Sequence, residues 1–230
     1  MLHPLDKGLL AIHAAFPEAR DESVADWPLG RRNRALAELY CACFSPSFQG
    51  WTECRKCGEK LEFNVDGNAL IASCAPQSCS SVQVDGQSFR LPTTRDLALI
   101  AGEPDALQAS LRLFNQCVVE EARGETTESQ AEPQKTTREW TEESIEAIGA
   151  CMAQADPLAE ILLHFDCPAC GQSFEENLDL PAFLWSKLES CAMRLMLDIH
   201  ALASAYGWSE KEILALAPAR RDFYLQAVRA

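Results

Sequence analysis

The chain has 230 residues, 47% hydrophobic and 23% charged, a mixture that suits one sizeable globular domain or two small ones and does not suit disorder. Its formal net charge is -14, from 20 basic and 34 acidic residues, so its surface repels phosphate backbones and anionic membranes unless the basic side chains gather on one face. No apolar run approaches the roughly 18–20 residues that span a bilayer. The start, MLHPLDKGLLAIHAAFPEAR, places His3, Asp6 and Lys7 where an export signal carries a basic head, so no such signal is read.

Taken in chain order, Leu9, Leu10, Ile12, His13 and Phe16 form a short helical pattern, and Asp26-Trp27-Pro28 breaks it. RRNRALAELYCACF then carries Leu36, Leu39, Tyr40 and Phe44 at helical spacing. Its cluster of Arg31, Arg32 and Arg34 reads as a solvated helix end, and Cys41 and Cys43 read as small core residues. After Trp51 the texture changes. CRKCGEKLEFNVD alternates Leu61, Phe63 and Val65 with polar neighbours, the pattern of a half-buried strand. VQVDGQSFRL centres on Asp85-Gly86 and predicts a hairpin. From Thr94 the pattern is helical again, with RDLALIAG and then DALQASLRLFNQCVV, in which Leu107, Leu111 and Phe114 line one face.

Residues 121–138, EARGETTESQAEPQKTTR, have almost no apolar content and read as a flexible linker. It divides an N-terminal part, 1–120, with its helices, first C-x-x-C knuckle and hairpin, from a C-terminal part, 139–230, with the second knuckle and the last helices. That second part opens with an amphipathic helix from Trp140 to about Ala155. LAEILLHFDC then reads as a strand entering the second cysteine pair. A long helix follows from Pro181 to Tyr206, with Gly207 as its stop. Ser209 and Glu212 form a capping box for a short helix, and Pro218 opens a last one ending near Val228. The expected fold class is α+β: a mostly helical protein with a small antiparallel, zinc-ribbon-like β unit built from two C-x-x-C-G knuckles.

Eleven cysteines in a long chain without an export signal read as intracellular thiols, some of them metal ligands, and the odd total argues against complete disulfide pairing. CRKCGEKLEFNVD and CPACGQSFEENLD match at Cys54/Cys167, Cys57/Cys170, Gly58/Gly171, Glu62/Glu175, Asn64/Asn177 and Asp66/Asp179. C-x-x-C lets a tight turn aim two thiolates at one metal, and the following glycine tolerates the left-handed backbone such a turn needs. Two knuckles supply the four sulfurs of a closed structural site. Cys54, Cys57, Cys167 and Cys170 are therefore the expected ligands of one structural Zn2+ ion. A rival set completes the first pair with Cys74 and Cys79. It leaves Cys167 and Cys170 with no second pair, and CAPQSC lacks the knuckle's spacing and glycine. A redox reading needs the motif at a helix N-terminus, whereas strands follow both pairs. No catalytic or cofactor-binding constellation is read. His3, His13, His164 and His200 are scattered, His164 being read as a partly buried strand residue, and no phosphate loop or nucleophile elbow occurs. The protein is expected not to be an enzyme.

The C-terminal run LPAFLWSKLESCAMRLMLDIHALASAYGWSEKEILALAPARRDFYLQAV resembles the C-terminal region of the phage baseplate hub assembly chaperone family, found with T-even-like contractile tails and related contractile injection systems. FLW after the second knuckle, DIHALASAYGWSEKEILAL and PARRDFYL carry the likeness, with PLGRRNRAL before the first knuckle and LPTTRDLALIAG after the hairpin. CAPQSC lies outside that pattern. The resemblance covers most of the chain apart from the 121–138 linker. It implies a non-enzymatic assembly chaperone or structural component of a baseplate hub, whose partners are hub, spike or other tail proteins. It would be cytoplasmic during assembly, with retention in the tail particle left open; from the charge and the apolar pattern, no membrane is expected and nucleic acid is a disfavoured partner. Aromatic-bearing segments around Trp185 and from Trp208 to Tyr224 are candidate contact surfaces, although core packing is the favoured reading of Trp185. A zinc-ribbon nucleic-acid-binding regulator is the alternative.

Overall fold

The computed structural model describes residues 3–16, 23–73, 81–119 and 140–229. Cys74, Cys79 and the whole 121–138 stretch lie outside these. The fold is α+β, mostly helical with small antiparallel sheets. In chain order it contains helix α1 (Pro4–Ala15), a 3-10 turn (Val24–Asp26) and α2 (Leu29–Cys43). Then come strands β1 (Ser47–Glu53) and β2 (Lys60–Asp66), helix α3 (Gly67–Ser73), and β3 (Ser81–Val84) with β4 (Gln87–Arg90). Helices α4 (Thr94–Ile100) and α5 (Ala106–Cys117) precede the short β5 (Val118–Val119), followed by α6 (Glu142–Ala155), β6 (Leu162–Asp166) and β7 (Ser173–Asn177). The chain closes with α7 (Leu180–Tyr206), α8 (Glu210–Leu214) and α9 (Pro218–Arg229). Among the described residues no helix is long and apolar enough to cross a membrane. The chain forms two compact units, Met1–Pro181 and Ala182–Ala230, so the described residues on both sides of 121–138 belong to the first.

Among the described residues of the first unit three sheets form: the hairpin β1–β2, the sheet β3–β4–β5 and the hairpin β6–β7. Asp85 and Gly86 both adopt positive φ, 50° and 74°, which gives the two-residue turn whose twist matches its strands. Phe89, Phe114 and Cys117 from the β3–β5 region share one core with Ile148 and Met152 of α6. Burial pushes the Cys117 thiol up to about 12, so it packs as a small apolar group. The core-facing side of α5 carries Leu113, Phe114 and Cys117, whereas Leu107 is exposed. The sequence pattern placed Leu107 on the inner face because i, i+4 and i+7 spacing does not show how far along a helix its packing extends.

Helix α2 organises both hairpins. Near its C-terminus Tyr40 stacks on Phe48 of β1 with ring centroids 4.5 Å apart, and both side chains are buried. Gly67 lets α3 start close beneath this stack, since a Cβ there would sit 2.5 Å from Cys41 Sγ and 2.9 Å from Phe48 Cε2. Near its N-terminus the Gly30 amide donates to Asp156 at 2.8 Å, and Asn33 Nδ2 donates to the Leu158 carbonyl at 2.7 Å. These bonds hold the segment that leads into β6. Burial raises the Asp156 carboxyl, while the Gly30 amide and the Arg32 charge oppose that shift.

Three side chains depart from their sequence reading. Arg32 is buried instead of solvated: its guanidinium donates to Asn33 Oδ1 and Thr94 Oγ1, which satisfies N–H groups that burial would strand. Cys43 is exposed at the end of α2, and Cys41 is half-buried. His164 points to solvent, its Nδ1 lying 3.1 Å from Glu175 across the β6–β7 pair. Strand alternation places His164 and Glu175 on the outer face, opposite Phe165 and Phe174.

The second unit has its own small core of Leu202, Ile213 and Leu225. Gly207 ends α7 with φ 68°, and the Ser209–Glu212 capping box opens α8 as its spacing predicts. Tyr206, Trp208 and Tyr224 stack beside that core, with Tyr206 on Trp208 at 4.6 Å. Trp185 is half-buried and donates its Nε1 proton to Glu189.

Candidate metal centre

Each cysteine pair sits at the tip of a hairpin. Cys54 follows β1 and β2 begins at Lys60. Cys167 follows β6 and β7 begins at Ser173. The backbone of the two tips is the same. The amide of the first cysteine donates to the residue five positions on, Cys54 to Glu59 and Cys167 to Gln172, both at 2.9 Å. The glycine amides return to the first cysteine's carbonyl, Gly58 to Cys54 at 2.8 Å and Gly171 to Cys167 at 2.9 Å. Both glycines are left-handed, with φ 77° and 69°, the conformation that costs a side-chain-bearing residue about 1–2 kcal/mol. The 113-residue offset carries through the strand pairing, since Thr52 faces Leu61 as Phe165 faces Phe174.

The hairpins meet through their inner faces and their tips. Phe63 and Phe165 approach edge-on at 6.1 Å, and Phe165 stacks on Phe174 at 5.5 Å. Arg55 in the first tip donates to Glu176 of β7 at 2.8 Å. This brings the four sequence-predicted ligands together: Cys54 Sγ lies 3.7 Å from Cys170 Sγ, and Cys57 Sγ lies 3.5 Å from Cys167 Sγ. All four sulfurs fall within 4.8 Å of one another, and this is the one such group of three or more metal-ligating side chains among the described residues.

The first cysteine of each pair is buried, Cys54 and Cys167 each 2% exposed; Cys57 is exposed and Cys170 half-buried. None of the four is in a disulfide. The amides of Lys56 and Cys57 point at the Cys54 sulfur and draw its thiol down to about 6. At Cys57 the Glu59 amide acts the same way. The neighbouring Cys167 sulfur, burial and the other two sulfurs outweigh it and push that thiol up to about 12. Four sulfurs this close cannot all ionise unless a cation lies among them, while amides aimed at sulfur favour the thiolate that a metal requires. The group is suited to holding a metal ion.

The sequence reading missed β1 and the anchors on α2. β1 is interrupted by Gly50, so no apolar alternation marks it; extending the repeat backwards, WTEC against HFDC, is the signal that finds it. Gly30, Asn33 and Asp156 carry no motif, and their roles appear only with the tertiary contacts.

Compared with protein-family models, with curated proteins and with solved structures, the chain matches none.

Proposed function

We propose that Cys54, Cys57, Cys167 and Cys170 hold one structural zinc ion in a ribbon-like pair of knuckles, and that the protein is a non-enzymatic assembly factor acting by protein–protein contact. The observation that carries the metal reading is the cross-repeat sulfur group. Sulfurs tetrahedrally bound at the usual zinc distance are about 3.8 Å apart, and the two close pairs stand at 3.7 and 3.5 Å. Four thiolates leave no open position for water or substrate, which supports a structural role. The bound ion would offset two of the four thiolate charges and tie the β1–β2 hairpin to the β6–β7 hairpin.

Within that reading we place the protein with the baseplate hub of a contractile tail or injection system, as a chaperone or a structural component. The support is the resemblance of DIHALASAYGWSEKEILAL, PARRDFYL and the flanking motifs. The test is deletion of the gene combined with co-purification of the tagged protein. Loss of tail assembly together with recovery of hub or spike proteins is expected, and normal tails in the deletion strain would discard the assignment. Metal content is tested separately: one zinc per chain at pH 7.5, falling as the pH drops toward 5 because protons compete for the thiolates.

A further inference from the structure

The four clustered sulfurs differ in access and in neighbours. Cys54 and Cys167 are buried, Cys57 is exposed and Cys170 half-buried. The two sulfur contacts of hydrogen-bond geometry run between the knuckles and not within them: Cys57 to Cys167 at 3.5 Å, and Cys170 to Cys54 at 3.7 Å. Each contact therefore sets a sulfur that solvent reaches against one that it does not. The hairpins that carry them also meet through groups other than sulfur, Phe63 against Phe165 and Arg55 on Glu176. A reachable thiol beside a second, shielded one is the arrangement in which oxidation ends as a disulfide and not as a sulfinic acid.

We infer that the metal centre is also a peroxide-responsive site, in which oxidation expels the ion and leaves two disulfides across the hairpins, Cys57–Cys167 and Cys54–Cys170. This inference rests on the metal reading above and names how that site is regulated. A bound metal holds all four sulfurs as thiolates, so access decides which of them reacts first. Cys57 attacks the O–O bond of hydrogen peroxide and takes one oxygen as a sulfenic acid; the other oxygen leaves as hydroxide and is protonated to water. Cys167 then attacks the Cys57 sulfur, the S–S bond forms, and the sulfenic oxygen leaves as a second water. Each disulfide thus consumes one peroxide, two thiolates and two protons from solvent, and yields two waters. A second round begins at Cys170 and is resolved by Cys54. Closing either contact to the roughly 2.0 Å of an S–S bond moves each sulfur by under about 1 Å. A disulfide lacks the thiolate that ligates a metal, so the ion leaves. The hairpins stay joined after it has gone.

The test uses the full chain carrying Cys43→Ser and Cys191→Ser, two exposed cysteines outside the site, to limit bonding between chains. Zinc release is followed during titration with hydrogen peroxide. Remaining thiols are then alkylated and the chain is digested with trypsin without reduction. Trypsin cuts after Arg55 and Lys56 and so separates Cys54 from Cys57, while Cys167 and Cys170 stay together in peptide 139–187. The expected product joins three peptides, 35–55, 57–60 and 139–187. Fragmentation between Cys167 and Cys170 should assign Cys57 to the former and Cys54 to the latter. Zinc should be lost in step with this species, and dithiothreitol with added zinc should restore the starting protein. Peptide 35–55 joined to 57–60 alone, a Cys57 sulfinic acid without a disulfide, or zinc retained after the disulfides have formed would each overturn the inference. An untreated chain without zinc is a separate outcome, which removes the metal reading and this inference with it.

Discussion

The two knuckle hairpins share a backbone and differ in what fills it. Gly58 and Gly171, the amide returns to Cys54 and Cys167, and the strand register agree position by position. The inner faces do not. Where the first hairpin has Phe63 packed over Gly50, the second has Glu176 reaching the first knuckle's Arg55, and Leu163 stands at the position of Gly50. The first is seated by a buried aromatic stack on α2, the second by hydrogen bonds from α2 to the loop before it. What a metal demands of the chain is thus kept in both copies. What packing demands has been solved separately in each.

This contrast can be broken most forcefully at the shared positions. Cys54→Ser and Cys167→Ser should each abolish metal binding, measured by elemental analysis. A structural zinc site contributes on the order of 10 kcal/mol where it has been measured, so thermal unfolding of the first unit should move down by well over ten degrees in both variants. Unequal loss, with metal retained in one, would mean that the two pairs do not share an ion.

The anchors are the next largest test and should separate the copies. A Cβ at Gly30 would lie 1.6 Å from Asp156 Oδ1. Gly30→Ala should therefore displace the carboxylate and cost about 2–4 kcal/mol in denaturant unfolding. Hydrogen exchange should rise in β6 and β7 before it rises in β1 and β2. Uniform loosening of both hairpins would contradict separate seating. Smaller again is Gly50→Ala, whose Cβ would meet Phe63 Cζ at 2.6 Å. Overpacking there should cost about 1–3 kcal/mol, while Leu163→Ala in the second hairpin should leave Phe63 undisturbed in an aromatic NMR spectrum.

The smallest effect should also be the most symmetrical. Gly58→Ala and Gly171→Ala each force a side chain into left-handed backbone with nothing within 4 Å to clash. Each should cost about 1–2 kcal/mol, equal within error. A marked difference would show that one knuckle is strained more than its backbone suggests.

How much of this was legible in the sequence follows the same division. The knuckles, the β2 alternation of Leu61, Phe63 and Val65, the Asp85-Gly86 turn and the α8 capping box are local rules, and a local rule leaves its mark in a few adjacent residues. Gly50 hid β1 because a strand that receives a ring from its neighbour gives up its own side chain there. Arg32 looked like a solvated charge because one of its acceptors, Thr94 Oγ1, becomes a partner only when α2 packs against the start of α4. His164 looked half-buried because LLHF is apolar around it, while the pleat turned it outward.

The grip of α2 on both hairpins also bears on how firmly a metal would be held. Closing a flexible loop of more than a hundred residues costs about 4 kcal/mol in chain entropy, and the cysteine pairs are that far apart along the chain. Tyr40 on Phe48 at one end of α2, and Gly30 with Asn33 at the other, already draw the two tips together. To an arriving ion the second cysteine pair stands at a high effective concentration beside the first. Less of an ion's binding free energy would then go into gathering the chain, and more of it would be left to resist dissociation.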